Sequence, residues 1–330
     1  VYGAGDNNSS KKSNIIMNKG SVSNIYGGAN RASQNIEKTN VKLNGGAVSN
    51  VYGAGLNSGA IETNIEAKAT YVENIYGGSD TSGVVSKSNI NVLSGNITNV
   101  YGGNLNGGYT IESNVNIQKT AQIRNDLFAG GKNSDIGSEN IRGKSTINIT
   151  GGSIYKDING GSYLGKVYGE TNVNIGKNAA TISSDKIEND DIYILGDIFA
   201  GGTSEYSKYK NQYDNSQISD YNFDKVISVV GNSNIRIDGK TYVDFKNNIY
   251  GTGNASKYTG TSNIIIENYG TQSSIQELKS IQRASNLYIG NSYLEIDGKQ
   301  DILSASNRAT YSLNKIDSVT LYKASSLYVQ

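Results

Sequence analysis

Ser23-Asn24-Ile25-Tyr26-Gly27-Gly28 is written again as Ser49-Asn50-Val51-Tyr52-Gly53-Ala54, Glu73-Asn74-Ile75-Tyr76-Gly77-Gly78 and Thr98-Asn99-Val100-Tyr101-Gly102-Gly103. Across the chain the aromatic position of this phrase falls at Tyr2, Tyr26, Tyr52, Tyr76, Tyr101, Phe128, Asn159, Phe199 and Tyr250, at intervals of 24, 26, 24, 25, 27, 31, 40 and 51 residues. The seventh copy has lost its ring but kept its neighbours, Asp157-Ile158 and Gly160-Gly161. A period in the twenties punctuated by glycine marks a solenoid, because a unit that small cannot bury its own apolar face and must stack on a copy of itself.

A second phrase keeps step with the first: Thr39-Asn40-Val41-Lys42-Leu43, Thr63-Asn64-Ile65-Glu66-Ala67, Ser88-Asn89-Ile90-Asn91-Val92 and their later copies to Ser262-Asn263-Ile264-Ile265-Ile266. Alternating apolar and polar residues describe a strand with one face inward. From Asn14, Asn40, Asn64 and Asn89 to the next aromatic is twelve residues every time, so one rung geometry is reused. A third short strand is expected just before each aromatic phrase, as at Ser21-Val22-Ser23-Asn24 and Tyr71-Val72-Glu73-Asn74. Three short strands with their bends fill about 25 residues, one turn of a parallel β-helix. Antiparallel hairpins would place turns every 8–12 residues, whereas these glycines keep one phase of a longer period. Parallel crossovers are right-handed. The expected fold is therefore all-β: a right-handed parallel β-helix, a single-stranded solenoid of about nine to eleven coils, with loop insertions and a less regular C-terminal part.

These rungs resemble the repeats of large bacterial surface and passenger proteins of the pectate-lyase-like right-handed β-helix superfamily, particularly the Gly-Gly-x-Val-x-Asn-Val-Tyr-Gly-Gly repeats of Gram-positive cell-surface proteins. The resemblance covers residues 1 to about 270. It implies a β-helix displayed at a bacterial surface or secreted. That superfamily also hosts polysaccharide lyases and hydrolases, phage tailspikes and inert stalks, so the resemblance speaks to shape more than to chemistry.

Composition narrows the chemistry. The 330 residues contain no Cys and no His, which excludes thiol catalysis, disulfides, Cys-zinc sites and the usual catalytic triads. A net charge of +1 argues against nucleic acid as a partner. No apolar run is long enough to span a membrane, and no signal sequence opens the chain. Because the sequence starts inside a rung, at Val1-Tyr2-Gly3, other domains of a longer parent chain are expected partners.

Candidate sites sit where the repeat varies. The residue before the Val/Ile of the aromatic phrase is Asn24, Asn50, Asn74 and Asn99, then Asp126, Asp157 and Asp197, then Asn248. The asparagines read as a stacked ladder at a bend. Three stacked carboxylates would repel, so either one titrates upward or a cation sits among them, and calcium is the hard cation that suits such oxygens. The competing reading has each Asp replacing Asn and turning toward water. Insertions around 177–190 and 203–225 lengthen neighbouring coils. The second carries Tyr206, Tyr209, Tyr213, Tyr221 and Phe223, the tyrosine-rich composition of adaptable contact surfaces, and these are the candidate binding residues for a host surface protein or glycan. The periodic aromatics read as an architectural stack in preference to a sugar-binding strip. Asp190, Asp191 and Asp197 could supply an acid and a base to a polysaccharide lyase or hydrolase, but neighbours in a strand point to opposite faces.

Beyond 270 the register fades, and residues 271–330 read as a continuation or cap. Ser274-Ile275-Gln276-Glu277 is a capping box, and with Leu278 and Ile281 it predicts a short helix over 274–283. Strands are expected at 286–289, 293–296, 318–322 and 326–329. The function expected is a non-catalytic structural and binding module of an extracellular bacterial protein, an adhesin or similar, with a polysaccharide-active enzyme or a phage tailspike as the alternatives.

Overall fold

A computed structural model of the chain describes residues 1–7, 11–31, 35–177, 191–203, 227–239, 243–245, 247–254, 256–269, 278–296, 313–323 and 325–329. Within them the protein is all-β, with no helix. The strands pair parallel, rung on rung. One column runs from Lys12–Met17 through Ile36–Leu43, Ala60–Ala67, Val84–Tyr101, Asn106–Ile123, Gly143–Ile149, Gly169–Ile175, Asn232–Asp238, Ser262–Glu267 and Ser280–Gly290 to Leu313–Tyr322. A second begins Ser21–Tyr26, Gly46–Tyr52, Thr70–Tyr76 and carries the aromatic phrase. Main-chain hydrogen bonds leave every rung for the next, so no backbone donor in these columns depends on a hairpin partner. The arrangement fits a β-solenoid.

Equivalent residues of successive repeats sit in register: Asn40 faces Asn14 and Asn64, and Tyr52 faces Tyr26 and Tyr76. The segment expected as a separate third strand is continuous with the aromatic phrase, since Ser21–Tyr26 and Gly46–Tyr52 are single strands. Only a local change of side-chain alternation at Asn24-Ile25 separates them, with Ile25 and Tyr26 both buried. The third line of contacts instead lies after the glycines, where Ile136 pairs with Val167 and Val167 with Val229.

Two inward columns hold the rungs together. Val41, Ile65, Ile90, Val115, Ile147, Val173, Ile235, Ile264 and Leu287 are each at most 1% exposed, and burying each such side chain contributes about 1.5–3 kcal/mol. Two residues before each of them is a Ser or Thr, buried in every case but Ser285. In six rungs its hydroxyl crosses to the carbonyl that follows the next aromatic, as in Thr63 Oγ1 to Gly77 O at 2.6 Å, Ser113 Oγ to Ala129 O at 2.5 Å, and Ser233 Oγ to Gly251 O at 2.6 Å, whereas Ser88 Oγ and Thr171 Oγ1 are buried without a partner. The constant offset between the two phrases thus has a physical cause: one phrase donates to the other. The residue after the aromatic is Gly, or Ala at 129 and 200, because stacking leaves little room for a side chain. A Cβ on Gly53 would lie 2.2 Å from Gly77 O, and one on Gly27 2.2 Å from Gly53 O.

At the C-terminal end, residues 274–277 of the expected helix lie outside the described residues, and the stretch from Ser280 is a strand, not a helix. Ser280, Ile281 and Gln282 pair with Asn248, Ile249 and Tyr250. Helical spacing of Leu278 and Ile281 does put both in the core, but the ladder offered by the preceding rung satisfies the backbone without a helix. The strands Ser280–Gly290, Tyr293–Ile296, Leu313–Tyr322 and Ser326–Val329 include the four segments expected as strands, 286–289, 293–296, 318–322 and 326–329, with the first and third starting six and five residues earlier.

Candidate functional site

The aromatic column is a stack of rings. Centroids are 4.7 Å apart from Tyr2 to Tyr26 and from Tyr26 to Tyr52, then 5.1, 5.2 and 5.5 Å on to Tyr76, Tyr101 and Phe128, with planes within 12° of parallel. From Tyr26 to Phe128 the rings are at most 7% exposed, flanked by Leu56, Leu105 and Tyr163, and are closed to a sugar face. Their hydroxyls end on carboxylates. Tyr26 donates to Asp80 at 3.0 Å and Tyr101 to Asp126 at 2.6 Å. Burial first, and these nearby negative charges second, push the phenols up, that of Tyr76 to about 12 and those of Tyr26 and Tyr101 further.

The column lapses at Asn159, which pairs with Phe128 and Phe199 but has no ring. Tyr163 turns its ring edge against Phe128 at 5.5 Å and partly fills the place. Asn159 is 3% exposed and its Oδ1 has no hydrogen-bond partner. Stacking resumes between Phe199 and Tyr250 at 4.7 Å.

Asp126, Asp157 and Asp197 do occupy successive rungs, each one residue before a strand pair of the second column. Each carboxylate has a protein donor. Asp157 Oδ1 accepts from the Asp197 main-chain N–H at 2.9 Å, and Asp197 Oδ1 from the N–H of Asn248 at 2.9 Å and its side-chain amide at 3.0 Å. Asp126 accepts from Tyr101. The Asp157 and Asp197 carboxylates therefore cap the next rung's backbone, as Asn99 Oδ1 caps Asp126 N–H at 3.2 Å. Burial raises the Asp197 pKa, and repulsion from Asp157 adds to it against the Asn248 hydrogen bonds. Among the described residues, no group of three acidic side chains is placed to hold a metal ion. The insertion residues Tyr206, Tyr209, Tyr213, Tyr221 and Phe223 lie outside the described residues, as does Asp190; Asp191 is exposed and accepts from the Tyr193 hydroxyl at 3.3 Å.

The asparagine ladder is present as side-chain amide bonds: Asn50 to Asn24 at 2.8 Å, Asn74 to Asn50 at 2.9 Å and Asn99 to Asn74 at 2.8 Å. A second ladder climbs the first column, Asn40 to Asn14 at 2.7 Å and onward through Asn64, Asn89 and Asn114. A third joins Asn91, Asn116, Asn148 and Asn174 at 2.8 to 3.0 Å.

One ladder was missed in the sequence. Register sets Lys38, Glu62, Lys87, Glu112, Lys144 and Glu170 in one outward file, signs alternating. Ion pairs join Lys38 to Glu62 at 2.8 Å, Lys87 to Glu112 at 3.4 Å and Lys144 to Glu170 at 4.0 Å. The signal was available: each charge stands two residues before the Asn of the second phrase, or before Thr146 in its place.

What this geometry defines is a stack of parallel rungs with buried aromatic and hydroxyl columns and outward polar ladders. Compared with known protein families, with curated proteins and with solved structures, the chain matches none of them.

Proposed function

We propose that the chain is a right-handed parallel β-helix that serves as a non-catalytic structural and binding module of a bacterial surface or secreted protein. The observation that carries the reading is the register: equivalent side chains of successive repeats lie directly over one another from Asn14 to Asn114, and their amides hydrogen-bond to one another at every step. Such ladders make a stiff rod and leave few groups for chemistry. Nine to eleven coils at about 4.8 Å each extend to roughly 45–55 Å. The tyrosine-rich composition of 203–225 supplies, in this reading, one contact surface for a host protein or glycan.

Small-angle scattering on the purified chain tests the shape, and incubation with neutral and acidic polysaccharides followed by reducing-end and unsaturated-product assays tests the chemistry. An elongated particle that releases no product is expected. A compact particle, or turnover of any polysaccharide, overturns the proposal.

A further inference from the structure

We infer that one outward face of the second column is a binding strip for an extended, uncharged oligosaccharide; the inference rests on reading the chain as a non-catalytic binding rod and names its ligand class. Tyr71, Asn96, Gln122, Ser153 and Tyr193 face one another on five successive rungs. Their chain neighbours Val72, Ile97, Ile123, Ile154 and Ile194 are buried, so this file points outward. Tyr71 is 54% and Tyr193 41% exposed. With Leu195 they are three of the ten large hydrophobic side chains that are exposed among the described residues, gathered on one face.

Between the two tyrosines lies a fixed polar centre. The Arg124 guanidinium stacks 4.3 Å from the Tyr155 ring centroid and donates to Asn96 Oδ1 at 2.8 and 3.1 Å and to Gln122 Oε1 at 2.5 Å. Holding these carbonyl oxygens leaves the two amide N–H₂ groups oriented, and the remaining guanidinium edge faces solvent. The strip thus offers an aromatic platform at each end, about four rungs or 19 Å apart, with oriented donors between them.

Three considerations select the ligand. Main-chain groups here are spent on pairing to both sides, as Gly152–Ile154 is paired to Asn106–Ile123 and to Ile192–Ile194, so a peptide strand has no edge to join. Charge is balanced toward acid: Glu73 stands beside Tyr71 and Asp244 follows Tyr193 in the file, against Arg124 at the centre, so there is no cationic surplus to hold a polyanion. Aromatic faces separated by amides suit the C–H faces and hydroxyls of a linear pyranose chain, whose repeat is close to one rung.

Titration calorimetry of the full chain with chitohexaose tests this, with polygalacturonate as the anionic comparison. Saturable binding of chitohexaose is expected, weakened roughly tenfold by Tyr193→Ala and by Tyr71→Ala, and abolished in the pair. Arg124→Ala should weaken it too, while Ile16→Ala, at an exposed position of the first column, should not. No saturable binding, unchanged affinity in the double variant, or tighter binding of polygalacturonate would overturn the inference. Scattering from the same samples separates the two readings: an elongated particle that ignores chitohexaose sinks the strip alone, and a compact particle sinks the rod beneath it.

Discussion

From Tyr2 to Phe128 and from Asn159 to Tyr250 the same stack is built with different discipline. In the first stretch repeats are 24 to 27 residues apart, six rings stack without a gap, and the Asn file of the first column is unbroken to Asn114. In the second the spacing grows to 40 and 51 residues, a ring is missing at Asn159, and Thr146 interrupts the Asn file just before it. Main-chain pairing nevertheless continues without a slip: Gly143–Ile149 is in register with Asn106–Ile123 on one side and Gly169–Ile175 on the other. What persists through the irregular stretch is the buried Ile/Val file, with the hydroxyl-to-carbonyl crossing made at Ser145 Oγ to Gly160 O at 2.5 Å and at Ser233 Oγ to Gly251 O at 2.6 Å but not at Thr171. Register is therefore carried by the inward columns. The outward and aromatic ladders reinforce it where the coil length is constant.

The strongest way to break that comparison is to attack the crossing in both stretches. Gly53→Val places a side chain against Gly77 O, and Gly160→Val one against Ala200 O, each with a Cβ at 2.2 Å from that carbonyl and two further methyl groups at a position where no rung holds more than an alanine. Both should lose about 4 kcal/mol or more in urea unfolding, or fail to fold. A mild effect at Gly160 alone would show that the long-spaced coils are held by something else.

Alkaline unfolding should separate the stretches next. A phenol that ionises near 10 in the unfolded chain but is pushed up to about 12 at Tyr76 keeps its proton in the folded state. The unfolded state then binds fewer protons, so this stability is complete below pH 10 and is lost as pH rises toward 12. Tyr26, Tyr52, Tyr76 and Tyr101 share this behaviour in the first stretch, against Tyr250, also about 12, in the second. Absorbance near 295 nm should show their ionisation only together with the loss of β-sheet circular dichroism; independent titration near pH 10 would contradict the buried column.

Repair offers a gentler test. Thr146 is 2% exposed with an unpaired Oγ1, and the side-chain N–H₂ of Asn172 on the next rung is buried and unpaired as well. Thr146→Asn is close to volume-neutral and would accept from Asn172 while donating to Asn114, joining the two halves of the ladder. A gain of about 1 kcal/mol is expected in thermal or urea unfolding. No gain would mean that the ladder contributes nothing once the inward columns are in place.

The repeat, most strands and the asparagine ladder beside the aromatic phrase were legible because period and alternation are written in every repeat. Partners across rungs were less so. Asp126, Asp157 and Asp197 could be placed on successive rungs from spacing alone, but not that each carboxylate would be taken by a Tyr hydroxyl or by the next rung's N–H, since those donors lie 25 to 51 residues away. The helix expected over 274–283 misread a stretch whose apolar spacing is met by strand and helix alike, and only pairing of Ile281 with Ile249 decides it. Tyr71 and Tyr193, 122 residues apart, become one face only when four rungs are counted between them.

The smallest expected effect belongs to the file of alternating charge, and it too distinguishes the stretches. Glu62 accepts from Lys38 at 2.8 Å and from Asn64 at 3.0 Å, and these bonds hold its pKa below the usual glutamate range. A carboxyl lowered in the folded state stabilises above its unfolded pKa, near 4.5, and that contribution disappears as pH falls through the lower folded value. Both side chains of the pair are about one-third exposed, so screening by water keeps the contribution below about 1 kcal/mol. Glu62→Gln should cost that much at low salt and almost nothing at 1 M, where the screening length is about 3 Å. Glu170→Gln should cost less still, since Lys144 is its only ion-pair partner among the described residues and stands 4.0 Å away. An equal cost for the two, or a cost for Glu62 that survives high salt, would mean that these side chains act through packing across the rungs and not through charge.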